Sequence, residues 1–191
     1  YGLVILDEAC IATHYRLFSV DELLTVLRSR HQRTEVVVTG RYAPPELVAA
    51  ADLAIAASNA KMGLTAINVG LNCVGPVIPV SRIVGRKKAL ELLFGGELIK
   101  APEAQAMGLI NRIVPKEDLE KEALAWASDL ARKSPIALQI AKKAFYASED
   151  MDYLKQFELM NEAFARLCTT HDAHEGVKAF FERRKPRWEE R

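Results

Sequence analysis

The chain has 191 residues, and half of them are hydrophobic, which is enough apolar material for a folded core. Its 26 lysines and arginines nearly balance its 25 aspartates and glutamates, so net charge gives no reason to expect a nucleic-acid or membrane partner. No apolar run is long enough to cross a bilayer, and the three cysteines show no metal or disulfide spacing. We therefore expect a soluble, cytoplasmic protein without a metal site.

The first forty residues predict a strand, a helix and a second strand, an order typical of a parallel α/β unit. The apolar run at residues 2–6 is typical of a strand that is covered on both faces. Ser19 and Glu22 have the spacing of a capping box, which predicts the start of a helix, and the β-branched residues 35–39 predict the second strand. Because the chain starts with a strand pattern and without Met, we expect further sequence upstream.

The middle of the chain predicts one more helix, one more strand and then a long loop. Pro44 and Pro45 are tolerated in the first turn of a helix, so we predict a helix that runs to Ala51. Residues 52–57 predict a buried strand. The stretch that follows is predicted to be a loop because it contains five residues that often interrupt regular structure: Gly63, Gly70, Gly75, Pro76 and Pro79.

From Ser81 onward the sequence predicts mainly helices. They cover residues 84–94, 102–107, 116–132, 135–147 and 152–167, with one strand at 109–114. Asp172 and Glu175 have the capping-box spacing and predict the start of the last helix. His171 and His174 share one helical face, but we interpret their acidic neighbours as caps, so the third ligand of a metal site is missing.

Short segments that resemble one known family recur in order over about three-quarters of the chain. They are Asp52-Leu-Ala-Ile-Ala-Ala57, Asn59-Ala-Lys-Met-Gly63, Ile67-Asn-Val-Gly-Leu71, residues 81–90, 96–99, 104–115 and 133–135, and Glu175-Gly-Val-Lys-Ala-Phe-Phe-Glu-Arg-Arg-Lys-Pro186. This series resembles the C-terminal part of the crotonase (enoyl-CoA hydratase/isomerase) superfamily over about residues 47–191. The resemblance implies an α/β fold, a partial ββα spiral with a helical C-terminal tail that builds a trimer or hexamer. It also implies an acyl-CoA thioester as substrate or ligand, and no required cofactor.

In this family two backbone N–H groups hold the thioester carbonyl, and hydratases activate water with two glutamates. The resemblance places one glutamate at Glu46, whereas the second position holds Ala66, whose methyl group cannot activate water. One N–H donor belongs to a family half that this chain lacks, and the other falls in residues 41–45, where proline offers no N–H. The resemblance thus implies a hydratase/isomerase-like protein with an incomplete active site, and whether it is an enzyme stays open.

Two residues near the end of the chain match CoA contacts of the family. Phe180 matches an aromatic residue near the adenine, and Arg183 stands where the family often has a lysine near the CoA phosphates. The alternative is that Phe180 packs in the core and that Arg183 is merely solvated. Both interpretations are open at this point.

The first fifty or so residues resemble a different family. The segments that carry the resemblance are Val4-Ile-Leu-Asp-Glu8, His14-Tyr15, Ser19-Val-Asp-Glu-Leu-Leu24, residues 36–41 and 43–47, and Ala51-Asp-Leu53. They are similar to the C-terminal part of P-loop ATP:corrinoid adenosyltransferases. That resemblance would give Asp7 and Glu8 a part in organising Mg-ATP, but the phosphate loop is absent, and we prefer to interpret both acids as a solvated strand end. We therefore divide the chain into an adenosyltransferase-like fragment at 1–46 and a crotonase-like region at 47–191.

Three functions are compatible with these patterns. The first is an acyl-CoA-binding crotonase-like protein, in which Glu46 would be the one acid–base residue retained. The second is a non-catalytic module that forms trimers through its helical tail. The third is a vestigial fragment of an ATP:corrinoid adenosyltransferase.

Overall fold

A computed structural model of the chain describes residues 2–6, 9–31, 34–39 and 43–189. The described residues fall into two compact units. The first, which we call the α/β unit, comprises the described residues of Val4–Arg30 and Val36–Ala125. The second, which we call the helical unit, comprises the described residues of Tyr1–Leu3, His31–Glu35 and Trp126–Arg191. Within the described ranges, no helix is both long enough and apolar enough to span a bilayer.

The first part of the chain forms β1 (Gly2–Leu6), α1 (Ala9–His14), α2 (Val20–Ser29) and β2 (Thr34–Val38), and β1 pairs with β2. The predicted capping box is confirmed: the Glu22 N–H donates to the Ser19 hydroxyl over 3.1 Å, and the Ser19 N–H donates to the Glu22 carboxylate over 2.7 Å. Leu23 and Leu24 of α2 share a buried cluster with Leu47. The N-terminal segment and the first residue of the region predicted as crotonase-like thus lie in one hydrophobic core.

The middle of the chain forms α3 (Pro45–Ala50), β3 (Ile55–Ala57), β4 (Lys61–Met62), a 3-10 helix (Thr65–Val69), α4 (Val74–Val84) and α5 (Arg86–Gly95). Strand β3 is shorter than the predicted strand at 52–57, since the residues before Ala54 form a bend. The Ala54 N–H donates to the side-chain oxygen of Asn111 over 2.8 Å, and its carbonyl accepts the Asn111 N–H. A side-chain amide therefore takes the place of a strand partner at this end of β3.

The prediction of a loop around Pro76 and Pro79 is wrong, because both prolines lie inside α4. Pro76 is the third helical residue, where the missing N–H would have no helical partner in any case. Pro79 removes one helical hydrogen bond, but the next residue, Val80, is buried in a cluster with Leu64 and Ala89. Burial of the α4 face therefore offsets the lost hydrogen bond.

The α/β unit continues with β5 (Ile99–Lys100), α6 (Ala101–Ala106), β6 (Arg112–Val114), a 3-10 helix (Lys116–Asp118) and the start of α7 (Leu119–Ala131). Strand β3 pairs with β6 in parallel, and β4 pairs with β5 in antiparallel orientation. Ala101 and Ala104 of α6 are completely buried in one cluster with Ala56 of β3 and Ile110. Three alanines at this contact allow the helix to approach the strand closely.

The helical unit contains α8 (Pro135–Ser148), α9 (Tyr153–Cys168) and α10 (His171–Phe181), close to the predicted ranges. Helix α8 packs on α9, and α10 contacts both. The predicted cap of the last helix is wrong: the N-cap is Thr170, whose hydroxyl accepts the Ala173 N–H over 3.1 Å. Asp172 is the second residue of α10 and is 1% exposed. Its carboxylate accepts a hydrogen bond from Ser134, which lies 38 residues earlier in the chain.

Candidate functional site

Glu46 lies in the first turn of α3, directly after the two prolines. Pro44 is the N-cap and Pro45 the first helical residue, so neither supplies an N–H at the start of this helix. An acidic residue in the first turn is favourable beside the partial positive charge of a helix N-terminus. The Glu46 side chain is half-buried. The segment predicted to replace the second N–H donor begins at residues 41 and 42, which lie outside the described residues.

Ala66 lies in the 3-10 helix Thr65–Val69, which is fixed to the end of α5. The side-chain amide of Asn68 donates to the Gly96 carbonyl over 2.7 Å. Gly96 closes α5 with a φ of +60°, and a Cβ at this position would meet the side chains of Ile67 and Asn68. The half-buried methyl group of Ala66 is therefore held on a well-anchored element, although no acid stands there.

Phe180 and Arg183 lie at the C-terminal end of α10 and are both exposed. The Phe180 ring is 78% exposed, so the interpretation of this residue as part of the core is wrong. Arg183 has a φ of +53°, the left-handed conformation that a helix C-terminus usually gives to glycine. Both predicted CoA contacts thus belong to one turn, and that turn has an unusual backbone.

The chain after this turn is bound to Glu175 on α10. The Arg184 guanidinium donates to both carboxylate oxygens of Glu175, over 2.5 and 2.8 Å, and the Arg187 N–H donates to one of them over 2.8 Å. The Arg184 side chain and the Arg187 N–H together hold the pKa of Glu175 well below its ordinary value, at about 2. We call Glu175, Arg184 and Arg187 the C-terminal latch.

A second set of contacts fixes the residues beyond the latch. The Trp188 indole N–H donates to the Arg132 carbonyl over 2.8 Å. The Trp188 ring lies so close to Gly176 that a Cβ on residue 176 would be 3.3 Å from it. The Glu189 N–H donates to the buried Asp172 carboxylate over 2.8 Å. The chain from residue 182 to 189 therefore folds back along α10.

A cavity of roughly 660 Å³ opens beside the latch in the helical unit. Its walls are formed by charged and titratable side chains: His171, Glu175, Arg184, Lys185, Arg187 and Glu189. Neither Phe180 nor Arg183 is among them. Lys185 and Arg187 add positive charge here, next in sequence to the turn that contains Arg183.

The remaining sequence candidates are the two nucleotide-related acids and the histidine pair of α10. Asp7 and Glu8, the predicted nucleotide-related acids, lie outside the described residues. Among the residues that the structure describes, no three His, Cys, Asp or Glu side chains are close enough to hold a metal ion. His171 instead lies 3.9 Å from the Glu189 carboxylate.

The sequence did not reveal the latch, because Glu175 was predicted to be a helix cap. The two residues are nine positions apart, which is not a helical spacing, and their contact depends on the chain reversing at Arg183. The sequence feature that points to the latch is the group of cations after α10, which can form ion pairs with acids on that helix.

Comparison with known proteins extends the family resemblance towards the N-terminus. The family model for enoyl-CoA hydratase/isomerase matches residues 24–191. The mitochondrial enoyl-CoA hydratase domain-containing protein 3 of Rattus norvegicus is 35% identical over 178 residues, 92% of this chain and 59% of the rat protein. The chain therefore spans about three-fifths of that relative, and it spans about half of the mouse and human counterparts.

Two solved structures share the fold at similar identity. The crystal structure of human enoyl Coenzyme A hydratase domain-containing protein 3 has a TM-score of 0.77 and 31% identity, over 88% of this chain and 67% of that one. The enoyl-CoA hydratase of Mycobacterium smegmatis has a TM-score of 0.74 and 33% identity, over 91% of this chain and 72% of that one.

These matches correct two expectations from the sequence. The family match begins at residue 24, so the resemblance is not confined to residues 47–191. The suspected likeness of the first fifty residues to corrinoid adenosyltransferases, and the P-loop fragment it implied, find no support in these comparisons. The division at residue 46 stays a prediction. With a family match over most of its length and the crotonase-like α/β fold of its structural relatives, the chain belongs to the enoyl-CoA hydratase/isomerase family.

Proposed function

We propose that this chain binds an acyl-CoA thioester and that Phe180 and Arg183 contact its adenosine-phosphate end. The observation that supports this most directly is the exposure of Phe180, because an aromatic ring left 78% exposed contributes little to the core. A cation three residues later, at a fixed helix end, supplies charge for a phosphate. Ring stacking and a phosphate contact are the interactions that an adenosine phosphate needs.

We further propose that the hydratase site is incomplete. Hydration of a 2-enoyl-CoA requires a base for water and donors for the enolate oxygen. Glu46 would be the remaining base, Ala66 offers no second carboxylate, and Pro44 and Pro45 offer no N–H. We expect the chain to bind acyl-CoA and to catalyse hydration or double-bond isomerisation slowly or not at all.

The deciding experiment is a calorimetric titration with a saturated acyl-CoA, with ATP as the comparison ligand. We expect micromolar binding of the acyl-CoA and at least about tenfold weaker binding of ATP. F180A and R183A should each weaken the acyl-CoA binding. Equal affinity for both ligands, or no binding of acyl-CoA, would overturn the proposal.

A second candidate function, a trimer-forming assembly module, is favoured by the surface of α9. Tyr153, Phe157, Met160 and Phe164 are all exposed, and they follow one another at intervals of four, three and four residues. That spacing places them on one face of the helix, as in a helix that packs against another helix. We propose that a second copy of the chain packs on this face. Sedimentation equilibrium tests this by measuring the mass of the protein in solution.

A further inference from the structure

The turn after α10 is a Schellman motif with an arginine in place of the usual glycine. The Arg183 N–H donates to the Phe180 carbonyl over 3.2 Å, and the Arg184 N–H donates to the Ala179 carbonyl over 3.0 Å. Arg183 occupies the left-handed position, where a side chain with a Cβ is strained. Such a conformation persists where the surrounding contacts impose it, and it is found preferentially at binding and active sites.

The C-terminal latch spans this turn. Glu175 lies on α10 before the turn, and Arg184 and Arg187 lie after it. Arg184 also donates from Nε to the Glu182 carboxylate over 2.6 Å, so its guanidinium binds two acids that both precede Arg183 in the chain. The Glu175 side chain is 12% exposed, which limits the competition from water for its hydrogen bonds.

Phe180 and Arg183 themselves have little to hold them in place. Both side chains are exposed, and the Phe180 ring meets Phe181, which is itself 78% exposed, so core packing does not select their positions. Their relative placement follows from the backbone of the turn, and the latch ties together the chain before and after that turn. Because the backbone of this turn is already fixed, the protein loses less conformational entropy when a ligand binds to it.

We infer that Glu175 and Arg184 are positioning residues that hold Phe180 and Arg183 ready for the adenosine-phosphate end of an acyl-CoA. This inference rests on the proposed function. Neither latch residue needs to touch the ligand. Their effect on affinity should therefore exist only while Phe180 and Arg183 are present.

The test compares E175Q in two backgrounds by calorimetric titration with a saturated acyl-CoA. Glutamine keeps the shape of Glu175 but removes the charge that Arg184 recognises. We expect E175Q to weaken binding about tenfold in the natural sequence and less than about twofold in F180A/R183A. A residue that only supports the fold would weaken binding equally in both backgrounds.

E91Q is the matched control, because it breaks the exposed 2.7 Å pair of Glu91 with Lys88 and should leave the affinity unchanged. If E175Q does not fold, R184K takes its place, since lysine keeps the charge but cannot reach both carboxylate oxygens at once. Unchanged affinity in a folded latch variant, or equal losses in both backgrounds, would overturn the inference. Failure of the unmodified chain to bind acyl-CoA would instead overturn the proposed function.

Discussion

The Ser134 hydroxyl donates a 2.6 Å hydrogen bond to the Asp172 carboxylate, and both side chains are buried. Ser134 is also the N-cap of α8, where its oxygen accepts the Ala137 N–H over 3.2 Å. The other Asp172 oxygen accepts the Glu189 N–H. These two hydrogen bonds to Asp172 thus join the start of α8, the first turn of α10 and the end of the described chain.

S134A should destabilise the helical unit by about 1–3 kcal/mol, because it removes both a cap and a partner of a buried carboxylate. Urea unfolding followed by circular dichroism measures the change. S81A is the control, since the Ser81 hydroxyl donates only to the Ile78 carbonyl one turn earlier. A midpoint for S134A that matches that of S81A would show that the buried contact contributes nothing.

What the sequence could predict, and what it could not, follows from the range of the contacts involved. The cap at Ser19 was predictable because its side chain binds a backbone N–H three residues away. The cap at Asp172 was predicted wrongly, because its carboxylate binds Ser134, which lies 38 residues earlier. The helix through Pro79 was missed for a similar reason, since burial of Val80 decides it and local propensity does not.

The candidate site divides in the same way. Glu46, Ala66, Phe180 and Arg183 could be named from family motifs, which fix positions along the chain. The left-handed backbone at Arg183 could not be predicted from the sequence, because this conformation at the end of a helix is usually indicated by a glycine. The latch that stabilises it joins residues on either side of a chain reversal, and periodicity does not detect such pairs.

Two adjacent glycines should respond in opposite directions to alanine. Gly96 has a φ of +60°, and a Cβ there would stand 2.5 Å from the Ile67 side chain, so G96A should destabilise the protein by about 1–3 kcal/mol. Gly95 is helical with nothing within 4 Å of such a Cβ, so G95A should be neutral or stabilising by up to about 1 kcal/mol. Urea denaturation of both variants measures this. Equal midpoints would contradict the packing of the 3-10 helix against Gly96.

The latch should make stability depend on pH in the acidic range. Hydrogen bonds from Arg184 and Arg187 lower the pKa of Glu175 from 4.5 to about 2 in the folded chain. Because the folded pKa is the lower one, the contribution of this carboxylate is complete above about pH 4.5 and is lost as the pH falls towards 2. The difference in melting temperature between the natural chain and E175Q should therefore be constant near neutral pH and shrink below pH 4.5.

E91Q should show a small difference at every pH, because its pair with Lys88 is exposed at both ends. A melting difference for E175Q that stays constant down to pH 2.5 would mean that Glu175 is not stabilised in its charged form. A difference that grows on acidification would contradict the assigned direction of the pKa shift.

If α9 mediates assembly, a charge on its exposed apolar face should abolish it. F157E/F164E places two carboxylates within that face, and burying them against a second copy would cost more than the contact provides. We expect an oligomer for the natural chain and a monomer for the variant in sedimentation equilibrium. E158Q/E162Q alters exposed polar positions of the same helix and should leave the oligomer intact. A natural chain that is monomeric at all concentrations would eliminate the assembly module as a function.

If the second glutamate is what the proposed active site lacks, A66E should restore hydration. Ala66 is half-buried on an element anchored by Asn68 and Gly96, so a carboxylate there would be held in a defined place. A positioned general base accelerates a proton transfer about a hundredfold or more. Hydration removes the conjugated double bond of a 2-enoyl-CoA thioester, so the fall in its absorbance measures the rate. A66Q has the same size without a base and should stay as slow as the natural chain, and E46Q/A66E should lose the gain if both acids act together. A folded A66E variant that binds acyl-CoA but hydrates it no faster would show that the absent acid is not what limits catalysis.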